Sequence, residues 1–245
     1  SFIHSFIHSF IHSFIHFQVM RARGKNVQTL EFKAMLQEFF SWMESCDMIP
    51  AVLVAHNGRK FDFPILMRSV QCSGQMDTFC DHIISFVDSL PLLQNQLPDR
   101  NSYKLEDIVM DILTAELFEA HDATEDVAAL QKVFQALHIS LQTVRKFSIS
   151  PTDVVKNRNF LNEKHRNFPS LQPLIARGVC SNHIAESIAG SGLQLSHLKK
   201  IYQRKGEDGL VSIFCADVEG KPRVTNSKKV LNTVIPKLAG YFDQE

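Results

Sequence analysis

The chain has 245 residues, 44% of them hydrophobic, with 26 lysines and arginines balancing 26 aspartates and glutamates. That is enough apolar material for one large domain or two modest ones, and the absence of net charge excludes a global field drawing the protein to nucleic acid or anionic lipid. Polyanion binding must therefore be local. Two basic segments are available for it, or for ordinary solvated faces: residues 145–166 (Arg145, Lys146, Lys156, Arg158, Lys164 and Arg166 against Asp153 and Glu163), and Lys199 to Lys205.

Residues 1–16 repeat SFIH four times. A four-residue period drifts around a helix and puts Phe and His on one face of a strand, so neither element is specified. We read the repeat as low complexity outside the fold. From Thr29, "TLEFKAMLQEFFSWM" spaces Leu30, Met35, Leu36, Phe39, Phe40 and Met43 as an amphipathic helix, with Thr29 available as its N-cap. After Pro50, "AVLVA" is wholly apolar and β-branched, the pattern of a strand covered on both faces. "FDFPILMRSVQCSG" predicts a helix ending at Gly74, with Pro64 tolerated in its first turn. "HIISFVDSLPLL" (82–93) predicts a second buried strand. "SYKLEDIVMDIL" predicts a helix capped by Ser102, and "ATEDVAALQKVFQAL" another with Val127, Leu130, Val133, Phe134 and Leu137 on one face. This alternation is that of a layered α/β domain.

The five cysteines (Cys46, Cys72, Cys80, Cys180 and Cys215) are odd in number and form no CxxC pair, which argues against a disulfide framework or a zinc site. A nuclear or cytoplasmic location is expected. No apolar run reaches bilayer length, and the N-terminus lacks the order of a signal peptide, so no membrane association is expected.

Chemistry-bearing residues cluster in two places. "AHNGRKFDFPIL" (55–66) crowds His56, Asn57 and Asp62 around one turn at the end of the first buried strand, where α/β sheets gather their functional groups. "HDATEDVAAL" places His121 five residues before Asp126, itself in the first turn of a helix. The plain alternative is turn and cap chemistry: Asp62 capping its helix, His56 and Asn57 bonding the turn, and Asp122 or Thr124 capping the later helix.

Together the two stretches resemble the second and third motifs of the DEDDh 3′–5′ exonucleases, a ribonuclease-H-like family. His56, Asn57, Phe61, Asp62 and Leu66 match the second motif, and His121, Asp126, Val127 and Leu130 the third. Within the family the similarity is greatest to the exonuclease-like domain of promyelocytic leukaemia protein and related fish exonucleases, through "SYKLEDI" and "SLQPLI" (170–175). The resemblance implies an exonuclease-like domain over residues 17–147, followed by a mainly helical extension over 148–245 with a possible hairpin. It also implies a two-ion site for Mg2+ or Mn2+ in which Asp62 and Asp126 are metal ligands, His121 takes a proton from the attacking water, and the substrate is a DNA or RNA 3′ end. Asn57 and Phe61 are the expected nucleic-acid contacts, Phe61 by stacking on a base. Hard divalent ions want several carboxylate oxygens at one point, which is why such a site needs acids from more than one motif.

The family's first motif, an aspartate and a glutamate two apart on the first strand, has no counterpart here: residues 1–28 contain neither acid. The expectation is therefore an exonuclease fold lacking its first strands in this chain, its place taken by the repeat and "FQVMRARGKNV". A nuclease-dead binding or scaffold module is the alternative function. "VSIFCADVEG" (211–220) sets Asp217 and Glu219 two apart after an apolar run, but a hairpin turning at Glu219-Gly220 is the favoured reading.

Overall fold

The structure, a computed structural model, describes residues 20–22, 25–27, 31–113 and 123–244. The chain divides between Val155 and Lys156 into two compact units. It is a mixed α/β protein, mainly helical with little sheet.

The first unit opens with two short antiparallel strands, β1 (Met20–Ala22) and β2 (Lys25–Val27), paired with each other. The sequence reading expected no strand here, and the pair does not join the larger sheet. Helix α1 (Phe32–Ser45) buries Leu36, Phe39, Phe40 and Met43, the 3–4 spacing that defined it. It starts at Phe32 with Glu31 in the cap position, and the expected cap Thr29 lies outside the described residues.

Strand β3 (Ala51–Ala55) runs parallel to β4 (Ile83–Asp88), and β5 (Ser148–Ile149) pairs antiparallel with β4 on its other side. The connection from β3 to β4 passes through α2 (Asp62–Cys72) and α3 (Met76–His82). A period of two divides the strand side chains between two cores. Leu53, Ala55 and Phe86 face a layer built from α1, α2 and Phe79 of α3. Val52, Val54 and Val87 face the other layer. That second layer contains α4 (Ser89–Gln96), α5 (Leu105–Leu113) and α6 (Ala123–Ala136). The sheet is thus apolar on both faces, which is why its strands read as continuous hydrophobic runs.

Two expectations are corrected. The predicted strand over 82–93 ends at Asp88, where the chain turns into α4; the Asp88 carboxylate caps that helix by accepting from the Leu90 amide at 3.0 Å. Pro91 falls in the first turn, where its missing N–H costs nothing. Ser102 does not cap α5 directly: the helix begins at Leu105, and the Ser102 hydroxyl donates to the Asp107 carboxylate. Helix α7 (Leu141–Phe147), capped by Ser140 on the Thr143 amide at 3.1 Å, leads into β5.

Helix α8 (Pro151–Asn167) contains the division between units. The second unit then continues through a 3-10 turn (Phe168–Leu171) to α9 (Gln172–Ala176), α10 (Asn182–Gly190), α11 (Leu195–Cys215) and α12 (Lys228–Phe242). Its own core gathers Leu171, Leu174, Ile188, Leu198, Leu210, Phe214, Ile235 and Leu238. Helix α11 breaks its direction at Gly206, whose φ of 58° suits glycine. The apolar run "VSIF" is the end of this helix, not a strand. A hairpin of β6 (Asp217–Val218) and β7 (Lys221–Pro222) follows, with Glu219 and Gly220 both at positive φ in its turn. The Asp217 carboxylate accepts from the Gly220 amide, and Glu219 pairs with Lys156, so both acids serve the hairpin's own surroundings.

Gly58 sits where the first core meets the turn after β3. A methyl group there would lie 2.6 Å from the Phe63 ring and 2.9 Å from the Ala55 side chain. Phe63 is stacked on Phe86 at 4.6 Å between ring centres and has nowhere to retreat. Gly58→Ala is therefore expected to lower stability by about 1–3 kcal/mol, read as a shift of the urea midpoint; an unchanged midpoint would contradict this packing.

Candidate active site

Parallel pairing in this register sets Ala55 opposite Asp88, so β3 and β4 end level with each other. Two loops leave from that edge. After β3 the chain passes through half-buried His56, then Asn57 in the left-handed region at φ 59°, a conformation asparagine accepts more readily than most residues. The turn closes with the Lys60 amide on the Asn57 carbonyl and the Phe63 amide on the Gly58 carbonyl, at 3.2 and 2.9 Å. Helix α2 then begins at Asp62. The cap position belongs to Phe61, which offers no side-chain cap, so Asp62 lies in the first turn, where the helix dipole favours an acid.

Asp88 joins the two loops. It is 3% exposed, and each carboxylate oxygen accepts a backbone amide: Leu90 at 3.0 Å on one, Arg59 at 3.1 Å on the other. The first bond starts α4; the second fastens the turn between His56 and Asp62. His56 adds a second tie. Its Nε2 lies 2.9 Å from the Tyr103 carbonyl oxygen and its Nδ1 2.9 Å from Ser89 Oγ. A carbonyl only accepts, so Nε2 carries a proton. Burial pushes the His56 pKa down, outweighing the Tyr103 hydrogen bond and the Asp88 and Asp126 charges that push it up. The ring is therefore neutral at neutral pH, and Nδ1 accepts from the Ser89 hydroxyl.

That opposing Asp126 charge also locates the third motif. Asp126, half-buried in the first turn of α6, is near enough to act electrostatically on His56. Further along α6, Ala129, Leu130 and Val133 pack with Val52, Val54 and Val87 of the strands whose ends carry the turn between His56 and Asp62. His121 and the alternative cap Asp122 lie outside the described residues, and the Thr124 side chain does too. Phe61 projects to solvent, 52% exposed. Among the described residues no three His, Cys, Asp or Glu side chains gather as a metal-ligating group. Asp62 and Asp126 supply two carboxylates, fewer oxygens than a pair of hard divalent ions takes, so the described residues do not by themselves complete a metal site.

The hydrophobic pattern of the sequence does not point to Asp88 and Ser89, because "FVDSLPLL" reads as strand throughout, nor to Tyr103, which takes part through its backbone carbonyl. The signal was present in Asp-Ser-x-Pro, a capping acid followed by a proline that fits a helix's first turn.

Residues 167–244 match the family described as PML, C-terminal domain; they lie in the second unit. Over 111 residues the chain is 34% identical to three prime repair exonuclease 2 of Mus musculus, covering 40% of this chain and 43% of that protein. Over 97 residues it is 35% identical to the chloroplastic/mitochondrial exonuclease DPD1 of Arabidopsis thaliana, covering 37% of this chain and 29% of that protein. The chain thus spans less than half the length of each of these relatives. Its similarity is to exonucleases, and it is partial.

Two measurements test the clasp. Asp88→Ala strands two amides at a buried point and is expected to cost about 1–3 kcal/mol. Asp88→Asn keeps one acceptor oxygen and should cost less; equal stability of both variants and the parent would contradict the clasp. For His56, depression of the folded-state pKa means that unfolding takes up a proton as pH falls below the ordinary value of 6.5. Its contribution is present above that pH and lost as pH falls toward the folded pKa. The stability of His56→Gln should therefore fall less steeply than the parent's as pH drops below 6.5, measured by urea unfolding; parallel curves would refute the assignment.

Proposed function

We propose that the first unit carries a DEDDh-type, ribonuclease-H-like 3′–5′ exonuclease site that hydrolyses phosphodiester bonds at DNA or RNA 3′ ends. What supports this reading is that the second-motif stretch forms the turn leaving the level ends of β3 and β4, and that the charge of Asp126, in the first turn of α6, is felt at His56 in that turn. The partial similarity to two exonucleases supports it. Asp62 and Asp126 are the residues assigned to hold Mg2+ or Mn2+, and His121 the residue assigned to take the proton of the attacking water, a role suited to a side chain that titrates near neutrality. Bound divalent ions would neutralise charge on the scissile phosphate. Asn57 shapes the turn that presents Phe61 and Asp62, and Phe61 is exposed where a terminal base could stack. We assign the protein to the nucleus or cytoplasm on its five unpaired cysteines.

A second reading has one specific observation in its favour. Residues 1–28 hold no aspartate or glutamate, so this chain does not supply a first-motif acid pair ahead of α1. On that reading the same surface binds nucleic acid without cutting it.

Release of nucleotide from a 3′-labelled single-stranded oligonucleotide by this chain with Mg2+ or Mn2+ separates the two. The exonuclease reading expects release that falls about a hundredfold or more in Asp126→Asn. Release no greater than in that variant would overturn the exonuclease reading for this chain.

A further inference from the structure

We propose that Arg59, Lys60, Phe61, Arg145 and Lys146 form a track that binds single-stranded nucleic acid at the rim of the candidate site. The purpose of the track rests on the exonuclease-type reading; its capacity to bind does not.

The two halves of the rim come from sequence-distant segments that the fold draws together. Antiparallel pairing of β5 with β4 sets Ser148 opposite Val87, so α7 ends beside the carboxyl end of β4. Arg59, whose amide is held by Asp88, sends its guanidinium to the Phe147 carbonyl at 3.2 Å. That bond places the Arg59-Lys60-Phe61 turn next to the Arg145-Lys146-Phe147 turn. All four cations are exposed, and among the described residues none is paired with a carboxylate. Arg145 and Lys146 also suit the negative end of α7. Arg59 shares that reason through its bond to the Phe147 carbonyl at the same helix end, but Lys60 does not: it precedes the amino end of α2, where a helix dipole disfavours positive charge. Lys60 Nζ lies 5.2 Å from the Phe61 ring centre, while that ring stays 52% exposed.

Cations beside an exposed ring suit an unpaired strand, whose phosphates meet the cations while a base stacks on the ring. A duplex keeps its bases stacked inside and would leave Phe61 unused. The zero net charge makes the patch necessary, since no long-range field otherwise favours a polyanion. Asp62 and Asp126 would repel incoming phosphates, and the rim offsets that repulsion at the point of entry.

The test is fluorescence anisotropy of a labelled oligothymidylate, with divalent ions chelated, across a salt series. Lys60→Ala/Arg145→Ala/Lys146→Ala should reduce the slope of log affinity against log salt by about 2. Lys199→Ala/Lys200→Ala/Arg204→Ala in the second unit removes equal charge and should leave the slope unchanged. Phe61→Ala should weaken binding to the single strand more than to a duplex of equal length. Circular dichroism confirms folding, and Lys60→Glu, a milder surface change in number but a reversal in sign, should weaken binding more than Lys60→Ala. Parent-like binding by the rim variant, equal loss in the control, or preference for duplex would overturn the proposal. Rim-dependent binding without any nucleotide release would overturn the exonuclease reading alone; parent-like release and KM in the rim variant would overturn the track alone.

Discussion

A single buried carboxylate orders the working edge of the first unit. Asp88 leaves the core at the end of β4 with both oxygens committed, one to the start of α4 and one to the turn after β3. A buried acid is costly unless its hydrogen bonds are made, and here making them fixes two loops relative to one sheet edge. The His56 ring repeats the device from the end of the neighbouring strand, reaching Ser89 and Tyr103, 33 and 47 residues away in sequence. The turn between His56 and Asp62 is thereby held at His56 and at Arg59, ahead of the start of α2 at Asp62.

That edge can be ordered because the sheet beneath it is dry on both faces. Phe86 packs into the layer of α1 and α2, and its neighbour Val87 into the layer of α4, α5 and α6. Two cores meeting at one parallel pair leave the strand ends, and the loops leaving them, as the natural place for polar groups. Local charge completes the arrangement: carboxylates at Asp62 and Asp126, and cations at Arg59, Lys60, Arg145 and Lys146 around them. In a chain with no net charge, any binding of a polyanion would rest on such separation of signs over short distances.

Much of this was legible in the residues. The spacing of Leu36, Phe39, Phe40 and Met43 gave α1, the β-branched run gave β3, and the glycine-marked turn gave the Asp217–Pro222 hairpin. The HN-to-FD spacing marked the turn that follows β3 and the start of α2. What stayed hidden depended on tertiary partners. "FVDSLPLL" has the hydrophobicity of a strand throughout, and only a capping carboxylate turns its second half into a helix. His56 reads as a lone turn histidine because its partners stand 33 and 47 residues away. Ser102 looks like a cap because helix starts are set by which backbone amides need partners, and here its hydroxyl serves the Asp107 side chain instead.

On the proposed reading, Asp62 and Asp126 hold one cation at this edge. Mn2+ binding by the parent, Asp62→Asn, Asp126→Asn and the double variant, followed by electron paramagnetic resonance of the free ion, tests it directly. If the two carboxylates share an ion, either single change should remove most of the binding and the double should lose little more. Losses that simply add, or binding indifferent to both changes, would show that the two acids serve separate surroundings and that no common site exists.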